Sequence, residues 1–88
     1  MKSPSELKQK LLEASRLVKI GDRYFHYKDS SKTYVIKDLA IIEATEEVGV
    51  VYAPEYEELS GVCFVRPIDN FLSSLVVNGV EVPRFAKQ

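Results

Sequence analysis

Arg23-Tyr24-Phe25-His26-Tyr27-Lys28 is the segment in which the apolar residues of this chain begin to alternate with period 2, the spacing of a strand that is buried on one face. Thr33–Ala44 continues in the same manner and is rich in aromatic and β-branched residues, which favour strands. Between the two, Asp29-Ser30-Ser31-Lys32 has the composition of a hairpin loop. The sequence therefore predicts a first β-hairpin.

Further strands follow toward the C terminus. Val48–Ala53 and Gly61–Arg66 have strand composition, and Pro67 ends the second of them because it has no backbone N–H to donate. Within Val76–Val82, Asn78-Gly79 stands between alternating apolar residues, which indicates a two-residue turn with both φ angles positive. We predict a second hairpin at this turn.

The strands are short and closely spaced, and no long helical pattern separates them. Ile68–Leu75 is expected to form one helical turn, with Phe71 and Leu72 facing inward. About 5–6 strands joined in this way pair antiparallel and curl so that few edges stay open. The predicted fold class is mainly β: a small SH3-like open β-barrel over residues 20–88, preceded by an N-terminal α-helix.

Residues 1–19 have the pattern of an amphipathic helix. Ser3 suits the cap, Pro4 suits the first helical position, and Glu6 can bond back to the cap nitrogen. The helix should end near Lys19, before Gly21. Its apolar stripe consists of Leu7, Leu11, Leu12, Ala14, Leu17 and Val18. We expect the stripe to cover the domain's own core; if it does not, it forms a homodimer contact.

The length and composition of the chain are those of one small globular domain. A sequence of 88 residues has too little apolar surface for a second core. Apolar residues make up 45% and charged residues 28%, which excludes a disordered chain. No apolar run approaches the roughly 18 residues that span a bilayer, so no membrane segment is expected, and the sequence predicts a cytoplasmic protein.

The charges are distributed unevenly along the chain. The net charge of −1 combines +5 over residues 1–37, −7 over residues 38–65 and +1 over residues 66–88. Sequence-independent binding of nucleic acid needs a continuous basic face, because each contact neutralises a phosphate. The acidic middle of the chain disfavours that function.

The single cysteine, Cys63, has no partner for an internal disulfide. It lies in the apolar run Val62–Val65, so we expect a small buried thiol rather than a nucleophile. The chain also has a single histidine and no spacing typical of metal ligands, so no metal and no cofactor are expected.

The first predicted strand carries the most distinctive polar residues. Tyr24, His26 and Lys28 alternate and so share one face. A histidine between a phenol and an ammonium group can bind an anion or transfer a proton near neutral pH. The alternative is a structural histidine that holds a backbone carbonyl.

Other candidate ligand contacts come from an arginine and a set of aromatic residues. Arg66, where a strand leaves the sheet, can pair with an external acid, but we expect an internal salt bridge to the acidic segment. Six aromatic residues can line a groove for peptides or bases, or can belong to the core: Tyr24, Tyr27, Tyr34, Tyr52, Tyr56 and Phe64.

Taken in order, several short motifs resemble one family. These are Gly21, Tyr24, His26-Tyr27-Lys28, Tyr34, Thr45, Val50-Val51-Tyr52, Tyr56, Val65-Arg66-Pro67, Phe71, Gly79 and Val82-Pro83-Arg84-Phe85. They look like the signature of the bacterial family known as domain of unknown function 1653, over residues 20–86. The resemblance implies a compact β domain and no established activity. Of the signature residues, Tyr34, Thr45 and Arg84 are also candidates for ligand contact.

Two positions depart from the family pattern. Phe64 stands where the family tends to place a tryptophan, and Ile42–Thr45 replaces a strand end that is richer in His, Ser and Glu. If that strand end belongs to a shared site, the site is altered in this chain.

The residues favour a non-catalytic binding module for a peptide or a small acidic ligand. The candidate ligand-binding residues are Tyr24, His26, Lys28, Tyr34, Thr45, Arg66 and Arg84. The alternative is a small enzyme with His26 as general base and Arg66 as the group that stabilises an anion. It requires both side chains to converge on one pocket. Nucleic-acid binding is the third and least favoured function.

Overall fold

The alternating pattern that begins at Arg23 produces a mainly β structure in the computed structural model, which describes residues 2–88. The elements, in chain order, are α1 (Pro4–Leu17), β1 (Arg23–His26), β2 (Asp29–Ile42), β3 (Glu47–Pro54), a 3-10 turn (Glu57–Leu59), β4 (Phe64–Pro67), α2 (Ile68–Phe71), β5 (Ser74–Val77), β6 (Val80–Pro83) and β7 (Phe85–Lys87). The mainly β class and the N-terminal helix are confirmed.

The strands form two antiparallel sheets. The larger sheet has the order β4-β3-β2-β1-β7, and β5 pairs with β6 in a separate hairpin. β4 and β7 are therefore the two edges of an open sheet, and the strands do not close into a barrel. The antiparallel pairing predicted from the short connections is confirmed.

The first hairpin turns earlier than predicted. Its loop is Tyr27-Lys28, and Asp29–Lys32 lies within β2 instead of forming the loop. His26 pairs with Asp29 while Phe25 pairs with Thr33, so the intervening residues form a bulge. The Asp29 carboxylate accepts hydrogen bonds from the backbone N–H of Ser31, at 3.0 Å, and from its hydroxyl group, which stabilises this bulge locally.

The second hairpin is confirmed. β5 and β6 are joined by Asn78-Gly79, with φ angles of 52° and 79°. Positive φ at both residues is what a type I′ turn requires, and asparagine and glycine tolerate it best.

The helix α1 covers the chain's own sheet. Ser3 and Glu6 form the predicted capping box, but the helix ends at Leu17, before Lys19. α1 packs on β2 and β3, and the stripe is narrower than predicted: Ala14 and Val18 are buried, whereas Leu12 and Leu17 are exposed. Homodimer formation through this helix stays a prediction. Within residues 2–88 no helix is both long and apolar enough to cross a bilayer.

The core lies on one face of the large sheet, below α1 and α2. Its buried members are Val18, Tyr24, Ile36, Val50, Tyr52, Phe71 and Phe85. The rings of Phe71 and Phe85 stack with centroids 4.5 Å apart and planes 11° apart. α2 thus turns Phe71 inward as predicted, but Leu72 is 42% exposed, so its predicted burial is wrong.

Cys63 is exposed, so the prediction of a buried thiol is also wrong. The physical reason is that the strand begins only at Phe64. Cys63 lies in the preceding loop, outside the sheet that would have covered it.

The burial of α2 gives a test of the core. Phe71→Ala removes a fully buried ring and should lower the free energy of unfolding by about 3–5 kcal/mol. The neighbouring Leu72→Ala removes a side chain that is largely in water and should cost less than about 1 kcal/mol. Urea denaturation of both variants measures the difference, and equal losses would contradict the orientation of α2.

Candidate functional site

A pocket of about 260 Å³ opens where the core reaches the surface between β1, β2, β3, β4 and β7. It is lined by His26, Tyr34, Tyr52, Tyr56, Leu59, Phe64, Arg66 and Phe85. Three of the predicted site residues, His26, Tyr34 and Arg66, therefore meet in one place. None of the lining residues carries a carboxylate.

Phe85 is the residue on which the pocket is assembled. β7 pairs with β1 in a register that places Phe85 opposite His26, and the two rings meet edge to face at 5.1 Å. Tyr34 and Tyr52 contact the same ring, with centroids at 5.9 and 5.4 Å. The ring thus fixes three of the side chains that surround the pocket, because edge-to-face contacts specify orientation as well as distance.

Arg66 is held by neutral groups. Its Nε donates to the hydroxyl oxygen of Tyr52 at 3.2 Å, and its Nη1 donates to Oδ1 of Asn70 at 2.6 Å. The guanidinium carbon lies 5.3 Å from the centroid of the Phe85 ring, within the range of a cation–π contact. Strand β4 ends at Pro67 and α2 follows at once, which brings Asn70 back toward Arg66.

The predicted internal salt bridge of Arg66 is wrong. The ion pairs found within residues 2–88 are Arg23 with Glu55 and Lys87 with Asp22. Of the acidic middle segment, Glu55 is bound by Arg23 and also accepts a hydrogen bond from Thr33. Arg66 therefore faces the pocket without an acidic partner.

His26 is a half-buried base held in one orientation. Its Nδ1 accepts a hydrogen bond from the backbone N–H of Lys28 at 3.3 Å. Within residues 2–88 no backbone carbonyl accepts a hydrogen bond from the ring, so the structure does not show the carbonyl contact that the structural alternative expected. In the neutral imidazole, a proton acceptor at Nδ1 places the N–H on Nε2. Burial lowers the pKa of His26 below 6.5, and the charges of Lys28, Arg66 and Arg84 lower it further.

Tyr34 is a neutral phenol at neutral pH. Burial raises its pKa to about 12, helped by the hydrogen bond that joins its hydroxyl to that of Tyr56 at 3.2 Å. The two hydroxyls give the pocket a pair of polar groups among its aromatic rings. Such hydroxyls can donate to a bound oxygen or accept from a bound N–H.

The other predicted site residues lie outside the pocket. Tyr24 is buried in the core, because β1 is an internal strand and the Tyr24 ring packs edge to face on Phe71 at 5.1 Å. Thr45 lies in the turn after β2, and Ile42, at that end of the strand, is roughly 26 Å along the strand from Tyr34. The structure does not bring either residue to the site.

Two of the predicted site residues, both positively charged, lie near the pocket but do not line it. Lys28 lies in the exposed turn after β1, with its Nζ 5.9 Å from the centroid of the Tyr27 ring. Arg84 is half-buried just before β7 and donates from Nε to the hydroxyl of Ser73 at 3.1 Å. Both still lower the pKa of His26 through their positive charges.

Sequence reasoning missed the central position of Phe85. The short strand β7 follows Pro83, and only its pairing with β1 shows that Phe85 belongs beside His26. The signal was present in the closing Arg84-Phe85 of the family signature, but a three-residue strand has no periodicity of its own.

A larger groove of about 630 Å³ lies on the opposite face of the sheet, lined in part by Val35, Ala53, Val62 and Cys63. It holds none of the predicted site residues, and its acidic residues, Glu55 and Glu57, give it mixed charge with Lys37. Within the described chain no cluster of three or more His, Cys, Asp or Glu residues is placed to hold a metal ion.

Comparison with known proteins identifies relatives of the chain. The sequence model of the family described as protein of unknown function (DUF1653) matches residues 22–87. The crystal structure of a DUF1653 protein from Bordetella bronchiseptica has 28% sequence identity and a TM-score of 0.67, and the match covers 81% of this chain and 87% of that chain. A search of curated proteins finds no match.

The electrostatic environment of His26 can be measured directly. Its imidazole should titrate below pH 6.5 in wild type, and Lys28→Gln should raise this pKa because it removes a neighbouring positive charge. NMR titration of the imidazole protons gives both values. Lys8→Gln, an exposed change on α1, is the matched control and should leave the pKa unchanged. A Lys28→Gln variant with the wild-type pKa would contradict the placement of that charge.

Proposed function

The chain belongs to the DUF1653 family, and from the pocket of this member we propose a non-catalytic module that binds one carboxylate group of an acidic peptide or small molecule. The family description supplies no activity, so the proposal rests on the residues of this chain. The large sheet is open, the SH3-like form expected from the strand pattern stays a prediction, and the proposal does not need it.

The observation that carries the proposal is the unpaired Arg66. A guanidinium group has five N–H donors, and Tyr52 and Asn70 take two of them. Those that remain match the fork of a carboxylate, which is the strongest common partner of arginine. With Nε2–H of His26 and the hydroxyl groups of Tyr34 and Tyr56, the pocket offers donors and holds no acid of its own.

The size of the pocket limits its occupant. Sites for drug-sized ligands and cofactors measure about 300–1,000 Å³, and this pocket measures about 260 Å³. It therefore suits the end of one acidic side chain or a small carboxylic acid better than a nucleotide or a cofactor. The aromatic walls from Phe64 and Phe85 suit the methylene groups that precede a carboxylate.

The enzyme alternative meets its first requirement, because His26 and Arg66 both line the pocket. A general base needs a free lone pair, however, and the only lone pair of the neutral imidazole is the one at Nδ1, which accepts from the N–H of Lys28. Use of His26 as a base would break this hydrogen bond. The same tautomer leaves Nε2–H free to donate to an anion, which favours binding over catalysis.

The proposal is tested with blocked amino acids as probes. Acetyl-glutamate-amide should bind wild type more tightly than the isosteric acetyl-glutamine-amide, because only the former carries the charge. Arg66→Gln should weaken binding of the glutamate probe by about 10–100-fold, the loss expected for charged hydrogen bonds. Titration followed by two-dimensional NMR measures the affinities and shows which residues respond.

Arg23→Gln is the matched control. It also removes a strand arginine, but one that is paired with Glu55 outside the pocket, and it should bind the glutamate probe like wild type. Thermal denaturation checks that both variants are folded. Equal affinity of wild type and a folded Arg66→Gln variant would overturn the proposal.

A further inference from the structure

The strand β4 leaves one side of its backbone open. It pairs with β3 from Phe64 to Pro67, and within residues 2–88 no strand lies on its other side. In an antiparallel pair, every second residue directs its N–H and C=O away from the partner. An exposed edge of this kind can accept a further strand from another chain.

The β4 edge is only four residues long and ends at Pro67, but its first two residues are apolar and exposed. Phe64 and Val65 are 38% and 57% exposed, and Val62 precedes them on the surface. The other edge of the sheet, β7, presents no such apolar residues. There Phe85 is buried, and Lys87 brings a charge that pairs with Asp22. Of the two edges, β4 is therefore the one suited to pairing.

The pocket opens beside this edge. Phe64 and Arg66 both line the pocket, whereas Val65, between them, lies on the opposite face near Gly49. The groove that contains Val62 and Ala53 lies on that opposite face as well. An added strand would send its side chains alternately to the donor-rich pocket and to the face that carries the exposed Val65.

We propose that the β4 edge binds an extended segment of a partner protein as an added strand. An acidic side chain of that segment enters the pocket of His26 and Arg66, and the apolar residues on either side of it lie on the face of Val65. The positive charge of the pocket favours an acidic side chain at one position of the segment. The exposed Val62 and Val65 favour apolar residues on either side of it. This inference rests on the proposed function of the pocket and adds the class of partner.

A second copy of the chain is the competing occupant. Val80-Glu81-Val82 in β6 has the same apolar-acidic-apolar pattern, and Val80 and Glu81 are exposed. We expect no dimer that depends on Glu81 at concentrations at which wild type binds a peptide. A dimer that Glu81→Gln dissociates would overturn the proposal of a separate partner.

The decisive experiment uses a blocked peptide, Thr-Val-Glu-Val-Thr, and versions of it that are methylated at one backbone nitrogen at a time. N-methylation removes a donor, so it should weaken binding about tenfold at alternate residues and leave affinity unchanged at the residues between them. The peptide should bind more tightly than acetyl-glutamate-amide, and replacing its glutamate with glutamine should weaken it. Isothermal titration calorimetry on the full chain measures each affinity.

A protein variant separates the edge from the pocket. Val65→Lys places a charge on the exposed face of β4 and should weaken the peptide about tenfold while acetyl-glutamate-amide binds unchanged. Val76→Lys, on the exposed face of β5, is the matched control and should bind both probes like wild type.

The outcomes distinguish the two proposals. Two results would overturn the added strand without affecting the proposed carboxylate site. One is a loss of affinity that does not alternate along the methylated peptides. The other is a peptide that binds no more tightly than acetyl-glutamate-amide. If neither probe binds wild type, both proposals fail.

Discussion

The packing of the Phe85 ring connects the core of this protein to its pocket. On one side the ring stacks on Phe71, which α2 inserts into the core. On the other it contacts His26, Tyr34 and Arg66, which line the pocket. Because one aromatic side chain joins both sets, the geometry of the pocket is determined by the same contacts that make the fold stable.

The pocket is positively charged because the fold, over the part of the chain that the structure describes, gives Arg66 no acidic partner. Arg66 is desolvated in part and bonded to neutral oxygens, and Lys28 and Arg84 add positive charge nearby. A histidine in these surroundings stays neutral, because a further positive charge would be repelled and poorly solvated. The contribution of His26 to the free energy of unfolding is therefore greatest above pH 6.5. As the pH falls below that value, this contribution is lost, because the unfolded chain binds the proton more readily than the folded chain does. An arrangement of this kind is complementary to a negative charge that the chain itself does not supply.

Local signals in the sequence predict local structure well. The Ser3 capping box and the turn at Asn78-Gly79 are confirmed because each depends on residues within a few positions of one another. The bulge in β2 was missed, since the composition of Asp29–Lys32 fits a loop and a bulge equally. Where local chemistry permits two conformations, pairing with the neighbouring strand decides between them.

The site required information that alternation along a strand does not contain. His26 and Arg66 lie on strands separated by β2 and β3, so their convergence depends on the order of the sheet. Alternation correctly placed Tyr24 and His26 on one face, but it could not show that Tyr24 lies under α2 while His26 lies at the rim. Thr45, included through the family signature, lies in a turn at the other end of β2.

The central claim is that the pocket receives an anion between Arg66 and His26. The most direct measurement is the pKa of His26 by NMR, taken in the absence and in the presence of saturating acetyl-glutamate-amide. A carboxylate in the pocket stabilises the imidazolium form, so the account predicts that the probe raises this pKa. A His26 pKa that the bound probe leaves unchanged would contradict it.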